Sequence, residues 1–309
     1  MTADAVRIGE RFAVTFQRTL RIPDDGRVYP LPPGLGRLPV LNVADYSARV
    51  PFSWRQGGGA FIPMYQREAL WLGFHGAHWK PNAVKVAVGG FNAISGEPDD
   101  VRLRTGPQDY LVCPLQPWLD GIHSGTGSVR QFVAMPLGEG YTVEASLRGG
   151  ETHGGVQITV FDPRPGRFPE QPPPPTRHTG PARAAAPAAS PSPEMGLGAG
   201  GILKQRIYPD PYGIDAWDQD NFGHVLVHIL NSAQFVEITG IAPPPTPIDA
   251  HVYAKHGLPW FDLYDEERGD VAPSKSLTEV KTIEQRDAER GAPQPQDSLE
   301  ITAEQITKL

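Results

Sequence analysis

Short apolar segments separated by glycines set the strongest limit on how this chain folds. From Val6 to Ile22 the apolar side chains fall on the even positions, with Glu10 and Arg18 as exceptions. Alternation with a period of two residues is typical of an extended strand with one buried face. Because a run of 17 residues is long for one strand, we expect a bend or bulge near Gly9 or Arg18.

Further strand candidates follow at short intervals, and glycine-rich stretches between them supply the backbone freedom that turns require. The candidates are residues 60–74 (two strands), 83–88, 110–113, 129–135, 141–147 and 156–161. Roughly eight strands without a convincing amphipathic helix between them predict a mainly β fold. We expect residues 1–162 to form an antiparallel β-sandwich, and both an immunoglobulin-like and a jelly-roll-like topology fit the pattern.

The composition changes between Pro163 and Gly201, where 11 of 39 residues are proline. A segment of this kind cannot bury enough apolar surface to form a core. We therefore interpret residues 163–201 as a Pro/Ala/Gly-rich linker. The glycines at 196, 198, 200 and 201 follow no predicted strand and precede no predicted helix, so we interpret them as the end of the linker and not as a phosphate-binding loop.

Beyond the linker, residues 202–270 are predicted to form a small acidic α+β domain. Strands are expected over 202–208, 224–230 and 258–264. Helices are expected over 233–239, with Ser232 as N-cap and Gly240 as terminator, and over 250–256, with Asp249 as N-cap. Residues 271–309 read as a polar, partly helical or disordered tail with one helix over 276–289.

The charge distribution excludes two classes of partner. The chain of 309 residues has a net charge of −7, and its acidic excess lies after residue 201. The sequence contains no cluster of basic residues of the kind that binds a nucleic-acid backbone or an anionic membrane surface. No apolar run reaches the roughly 18 residues of a membrane span. A single cysteine, Cys113, and the absence of a visible secretory signal predict a cytoplasmic protein without disulfides.

Histidines supply the first candidate metal site. His75 and His78 are three residues apart, and Asp120 and His123 lie in a later segment that completes a four-ligand set if the two segments meet. A divalent metal is the cofactor that this set suggests. The alternative is that these are ordinary hydrogen-bonded loop residues.

A second candidate metal site is the acidic run around Asp215, Asp218 and Asp220. The sequence from Asp218 onward does not match the EF-hand calcium-binding loop, because Phe222 and Ile229 occupy positions where that loop requires calcium ligands. An irregular calcium loop and a solvated turn both remain open.

Aromatic side chains are the candidate binding residues. Trp54 and Trp118 lie in Gly/Pro-rich loops and are expected at the surface, and Trp79 and Tyr65 are further candidates. Trp71, which stands between two leucines, is interpreted as a core residue.

These features favour a non-catalytic, two-domain binding or interaction protein whose partner is a protein or a glycan, and no cofactor is expected for it. The alternative is a metal-dependent, hydrolase-like enzyme. In that case His75, His78, His123 and Asp120 hold an ion that activates water, and Glu68 serves as the base.

Overall fold

The computed structural model describes residues 3–172, 194–262, 268–292 and 299–308. It is mainly β, with 39% strand and 17% helix, as the alternating segments predicted. The strands are β1 Val6–Ile8, β2 Phe12–Thr19, β3 Val28–Tyr29, β4 Gly34–Arg37, β5 Leu41–Asn42, β6 Ala60–Met64, β7 Ala69–His75, β8 Asn82–Val88, β9 Phe91–Asn92, β10 Leu111–Cys113, β11 Trp118–Leu119, β12 Gly121–Gly125, β13 Ser128–Pro136, β14 Val156–Pro163, β15 Glu194–Lys204, β16 Trp217–Asn231, β17 Trp260–Asp262 and β18 Ile306–Lys308. The helices are α1 Phe52–Gly57, α2 Val143–Arg148, α3 Ser232–Thr239, α4 Ala250–Lys255, α5 Lys275–Thr278 and α6 Ile283–Glu289.

Within the described ranges, sixteen strands join one large sheet. Its main path runs β1-β2-β7-β13-β15-β16-β14-β8-β10, and every pair along this path is antiparallel. Two additions are parallel, β3 on β15 and β6 on β16. The strands β17 and β18 form a separate parallel pair.

Strands from both sides of the proline-rich segment share this sheet. The strand β15 pairs with β13 along most of its length, and β16 pairs with β14 from Val156 to Pro163. One main hydrophobic core contains residues from Ile8 to Leu299. The strands assigned by sequence to a small C-terminal domain therefore lie beside those of residues 1–162.

The glycine run at the end of the predicted linker is part of β15. A Cβ atom on Gly201 would lie 2.1 Å from the Pro23 carbonyl oxygen, and one on Gly198 would lie 2.8 Å from the Tyr141 oxygen. Glycine is therefore required here because neighbouring backbone passes too close for any side chain. The remainder of the predicted linker, residues 173–193, lies outside the described residues.

The alternating segment 6–22 is a hairpin and not one bent strand. Val6 pairs with Val14 and Ile8 with Phe12, and Gly9 occupies the turn with a φ of +66°. The bend expected near Gly9 is thus a full reversal of the chain.

Most of residues 141–147, predicted as a strand, lies in the helix α2, which spans Val143–Arg148. The Thr142 hydroxyl accepts a hydrogen bond from Ala145 N at 3.1 Å and begins the helix. The buried Glu144 carboxylate, in the first turn, accepts hydrogen bonds from the backbone of Thr152 and Gly154. Gly149, in the left-handed conformation at φ +78°, ends the helix. These capping contacts therefore stabilise a helix in a segment whose short alternation of apolar side chains predicted a strand.

The later helices lie close to their predicted positions. The N-cap of α3 is Asn231, one residue before the expected Ser232, and Asp249 caps α4 as expected. The single helix expected over 276–289 is divided into α5 and α6. The strand expected over 258–264 is β17, and its last two predicted residues lie outside the described ranges. In the parts of the chain that are described, no helix combines the length and apolar character needed to cross a bilayer.

Candidate functional site

An apolar cleft of about 310 Å³ lies where distant parts of the chain meet. Its walls are Trp71 of β7, Trp118 of β11, Phe261 of β17 and the loop of residues 31–34, and Asp120 lies among them. We call this set of residues the aromatic cleft. Its lining is almost wholly apolar, with one ionisable group, the Asp120 carboxyl.

Strand pairing positions the two tryptophans. The strands β11 and β7 are antiparallel neighbours, and Trp118 pairs with Gly73 of β7, two residues from Trp71. The two indole rings meet edge to face, with centroids 6.2 Å apart and planes at 60°. They therefore form two walls at a steep angle.

A short backbone bridge brings the third aromatic wall into place. Leu31 N donates to the Phe261 oxygen at 2.8 Å, and Phe261 N donates to the Leu31 oxygen at 2.9 Å. Gly34 lies directly against Trp71, since a Cβ at this position would stand in ordinary van der Waals contact, 3.5 Å from the indole ring. The cleft thus depends on contacts between residues more than 200 positions apart in the chain.

Asp120 is held by hydrogen bonds from two neutral side chains, Gln205 and Trp118. The Gln205 side-chain amide donates to Asp120 Oδ2 at 2.9 Å, and its Oε1 accepts from Asp120 N at 2.9 Å. The residue is only 3% exposed. Burial raises the pKa of Asp120 to about 7, while hydrogen bonds from Trp118 and Gln205 act to lower it. The carboxyl therefore exchanges its proton near neutral pH.

The predicted histidine site is not assembled. His75 and His78 lie near the surface beside a different cleft at the end of β7. His123 is fully buried, and its Nε2 lies 3.6 Å from Asp270 Oδ1. Asp120 belongs to the aromatic cleft. Across residues 3–172, 194–262, 268–292 and 299–308, no group of three or more His, Cys, Asp or Glu side chains is placed to hold a metal ion.

The acidic run around Trp217 is spread along a short helical turn and the start of β16. Asp215 lies in the turn over residues 214–216, and Asp218 Oδ1 accepts a hydrogen bond from Asp220 N at 3.2 Å. This hydrogen bond is the type that the solvated-turn interpretation predicts. Trp217 itself is buried and donates to Asp210 at 2.9 Å.

Of the four aromatic candidates, the structure places one in the aromatic cleft. Trp118 lines it, and Trp79 is half-buried elsewhere. Trp54, expected at the surface, is 2% exposed and stacks on His228 with centroids 4.4 Å apart. Tyr65 is buried, and its hydroxyl donates to the Pro244 oxygen at 2.9 Å.

Trp71 was interpreted as core and lies in the cleft. Leu70 and Leu72 are fully buried, while Trp71 between them is half-buried. Successive side chains of a strand point to opposite faces, so two buried leucines place the residue between them on the other face. The alternation of side chains along the strand was therefore the sequence signal that could have placed Trp71 on the face opposite to the two leucines. No local pattern marks Phe261, because its position depends on the bridge to Leu31.

A second cleft of about 300 Å³ is lined by several charged groups, among them Arg67 and Glu68, whose ion-pair partners lie just outside the lining. Arg18 Nε lies 2.5 Å from Glu68 Oε1, and Tyr65 N donates to Glu68 Oε2 at 2.8 Å. Arg67 binds both oxygens of Asp287 at 2.7 Å. Glu68, the base of the enzyme hypothesis, is therefore held by two structural contacts.

The aromatic cleft is suited to binding. It offers apolar surface, three aromatic rings and one carboxyl that titrates near neutral pH. Comparison of the chain with models of known protein families, with curated proteins and with solved structures found no match.

Proposed function

We propose that the protein is a non-catalytic binding protein and that its ligand occupies the aromatic cleft. One observation carries this proposal: Trp71, Trp118 and Phe261 converge from three separate segments around a single buried carboxyl. Half-buried aromatic side chains in a concave site are the residues that most often dominate binding energy. The ligand is a small molecule or the protruding group of a larger partner, since a cleft of about 310 Å³ holds no more.

Truncation of Trp118 tests the proposal. The probe is N-phenyl-1-naphthylamine, a neutral apolar dye whose fluorescence rises in apolar clefts. We expect Trp118→Ala to weaken dye binding about tenfold, or about 1.4 kcal/mol, because one aromatic wall is lost. Trp118→Phe, which keeps an aromatic wall, is expected to retain most of the affinity. Fluorescence titration measures each dissociation constant.

Trp79→Ala is the matched control, since Trp79 is half-buried and lies outside the cleft. It is expected to bind the dye as the unmodified protein does. Thermal unfolding of each variant separates lost binding from lost folding. Equal dye affinity in Trp118→Ala and Trp79→Ala, both folded, would refute the aromatic cleft as the binding site.

A further inference from the structure

We propose, building on the binding function above, that the aromatic cleft recognises an organic cation, an alkylammonium group held against Asp120 between Trp71, Trp118 and Phe261. The faces of aromatic rings attract cations, and a carboxylate at the same site supplies the opposite charge. An aromatic enclosure with one acidic group is the arrangement that such ligands require.

The lining favours a cation over a sugar. Apart from Asp120, the side chains around the cleft are aromatic or aliphatic, and two are prolines, which have no backbone N–H to offer. A sugar ring carries several hydroxyls that would lose water here, whereas the lining side chains offer them only the two indole N–H groups and the Asp120 carboxyl, and each hydroxyl left unpaired is costly. An alkylammonium group has one charged centre, and its alkyl groups fit the apolar walls.

The surroundings of Asp120 also favour a cationic ligand. None of the ion pairs formed by the described residues includes Asp120, and its hydrogen-bond partners Gln205 and Trp118 are both neutral. The basic side chains on the neighbouring elements lie against groups other than Asp120. Lys204 lies 2.8 Å from Asp262 Oδ1, Arg206 donates to the Arg268 oxygen at 3.1 Å, and His123 lies 3.6 Å from Asp270.

A buried carboxylate is stable only with compensating charge or hydrogen bonds. A ligand ammonium supplies that charge, and it competes with the proton. Because the pKa of Asp120 is about 7, the carboxyl is mostly neutral at pH 6 and mostly ionised at pH 8. Cation affinity is therefore expected to rise about tenfold between these two values. A neutral ligand of the same shape gains nothing from the ionised form.

The test compares choline with its uncharged isostere 3,3-dimethylbutan-1-ol, and adds tetramethylammonium as a second cation. Calorimetric titrations of the full chain are run at pH 6 and pH 8. We expect choline to bind about tenfold more tightly at pH 8 and to release protons at pH 6. We also expect Asp120→Asn to abolish the pH dependence and to weaken choline binding at pH 8, with the isostere unaffected.

The outcomes separate failure of the cation inference from failure of the binding function. If the isostere binds as tightly as choline at both pH values, the cation inference fails and the binding function stands. The same holds if neither cation binds at pH 8 while N-phenyl-1-naphthylamine does. If no probe binds, the dye included, both proposals fail. If choline binds equally well to Trp118→Ala, its site lies elsewhere and the inference is overturned.

Discussion

Replacement of Lys85 by methionine is expected to lower the free energy of unfolding by about 3–5 kcal/mol. Lys85 is 1% exposed, and its Nζ lies 3.0 Å from both Asp100 Oδ1 and Asp109 Oδ2. It also donates to the Asp100 oxygen at 2.9 Å and to the Arg102 oxygen at 2.7 Å. Methionine fills the space of the stem but leaves these oxygens without their cation.

The cost is concentrated at Asp109, which is itself 1% exposed. Burial raises the pKa of Asp109, and the Lys85 charge is the main influence that lowers it. Without Lys85 the carboxyl is left either charged and poorly compensated or protonated, and both are unfavourable in the folded state. The double variant Lys85→Met/Asp109→Asn is expected to recover part of the loss.

Urea unfolding measures the effect, and Lys80→Met is the control. Lys80 is also a largely buried lysine, but its partner Glu170 is exposed. Removal of an ion pair that water already screens costs about 1 kcal/mol or less. Equal losses in the two variants would contradict the buried-cluster argument, as would full stability of Lys85→Met.

The pattern of short apolar segments bounded by turn residues was sufficient to locate eight of the fourteen described strands that begin before residue 162. It marked β8, β13 and β14 to within two residues, because those strands are bounded by turns that are local in sequence. It did not distinguish a hairpin from a bent strand over residues 6–22. It also gave a strand at α2, where the Thr142 cap and the Glu144 contacts decide in favour of a helix.

The part of β15 before residue 202 was missed for a different reason. Its glycines resemble a linker in composition, and their role is to admit the Pro23 and Tyr141 backbone from other parts of the chain. Such close approaches depend on tertiary structure and leave no local pattern. The residues of the aromatic cleft also differ in this respect. Trp118 was predicted as a binding residue from its local sequence, whereas Phe261 reaches the cleft only through the backbone bridge to Leu31, which no local pattern marks.

The second large effect on the free energy of unfolding is expected for substitution of Asp120, and it depends on pH. We expect the stability advantage of Asp120→Asn over the unmodified protein to grow by about 3 kcal/mol between pH 5 and pH 8. The pKa of Asp120 is about 7 in the folded chain, against an ordinary 3.8. The folded state therefore holds a proton between pH 4 and 7 that the unfolded state releases, and stability falls as the pH rises through that window. Asparagine has no such proton to lose.

Urea unfolding at pH 5, 6, 7 and 8 follows the difference, with the exposed Asp220→Asn as a control that is expected to show no trend. A gap between Asp120→Asn and the unmodified protein that is the same at pH 5 and pH 8 would refute the elevated pKa. The combination of results carries the functional argument. If the asparagine variant is more stable at pH 8 and has lost choline binding, the chain keeps a destabilising carboxyl because its ligand needs that charge. Buried groups with displaced pKa values cluster at functional sites for this reason.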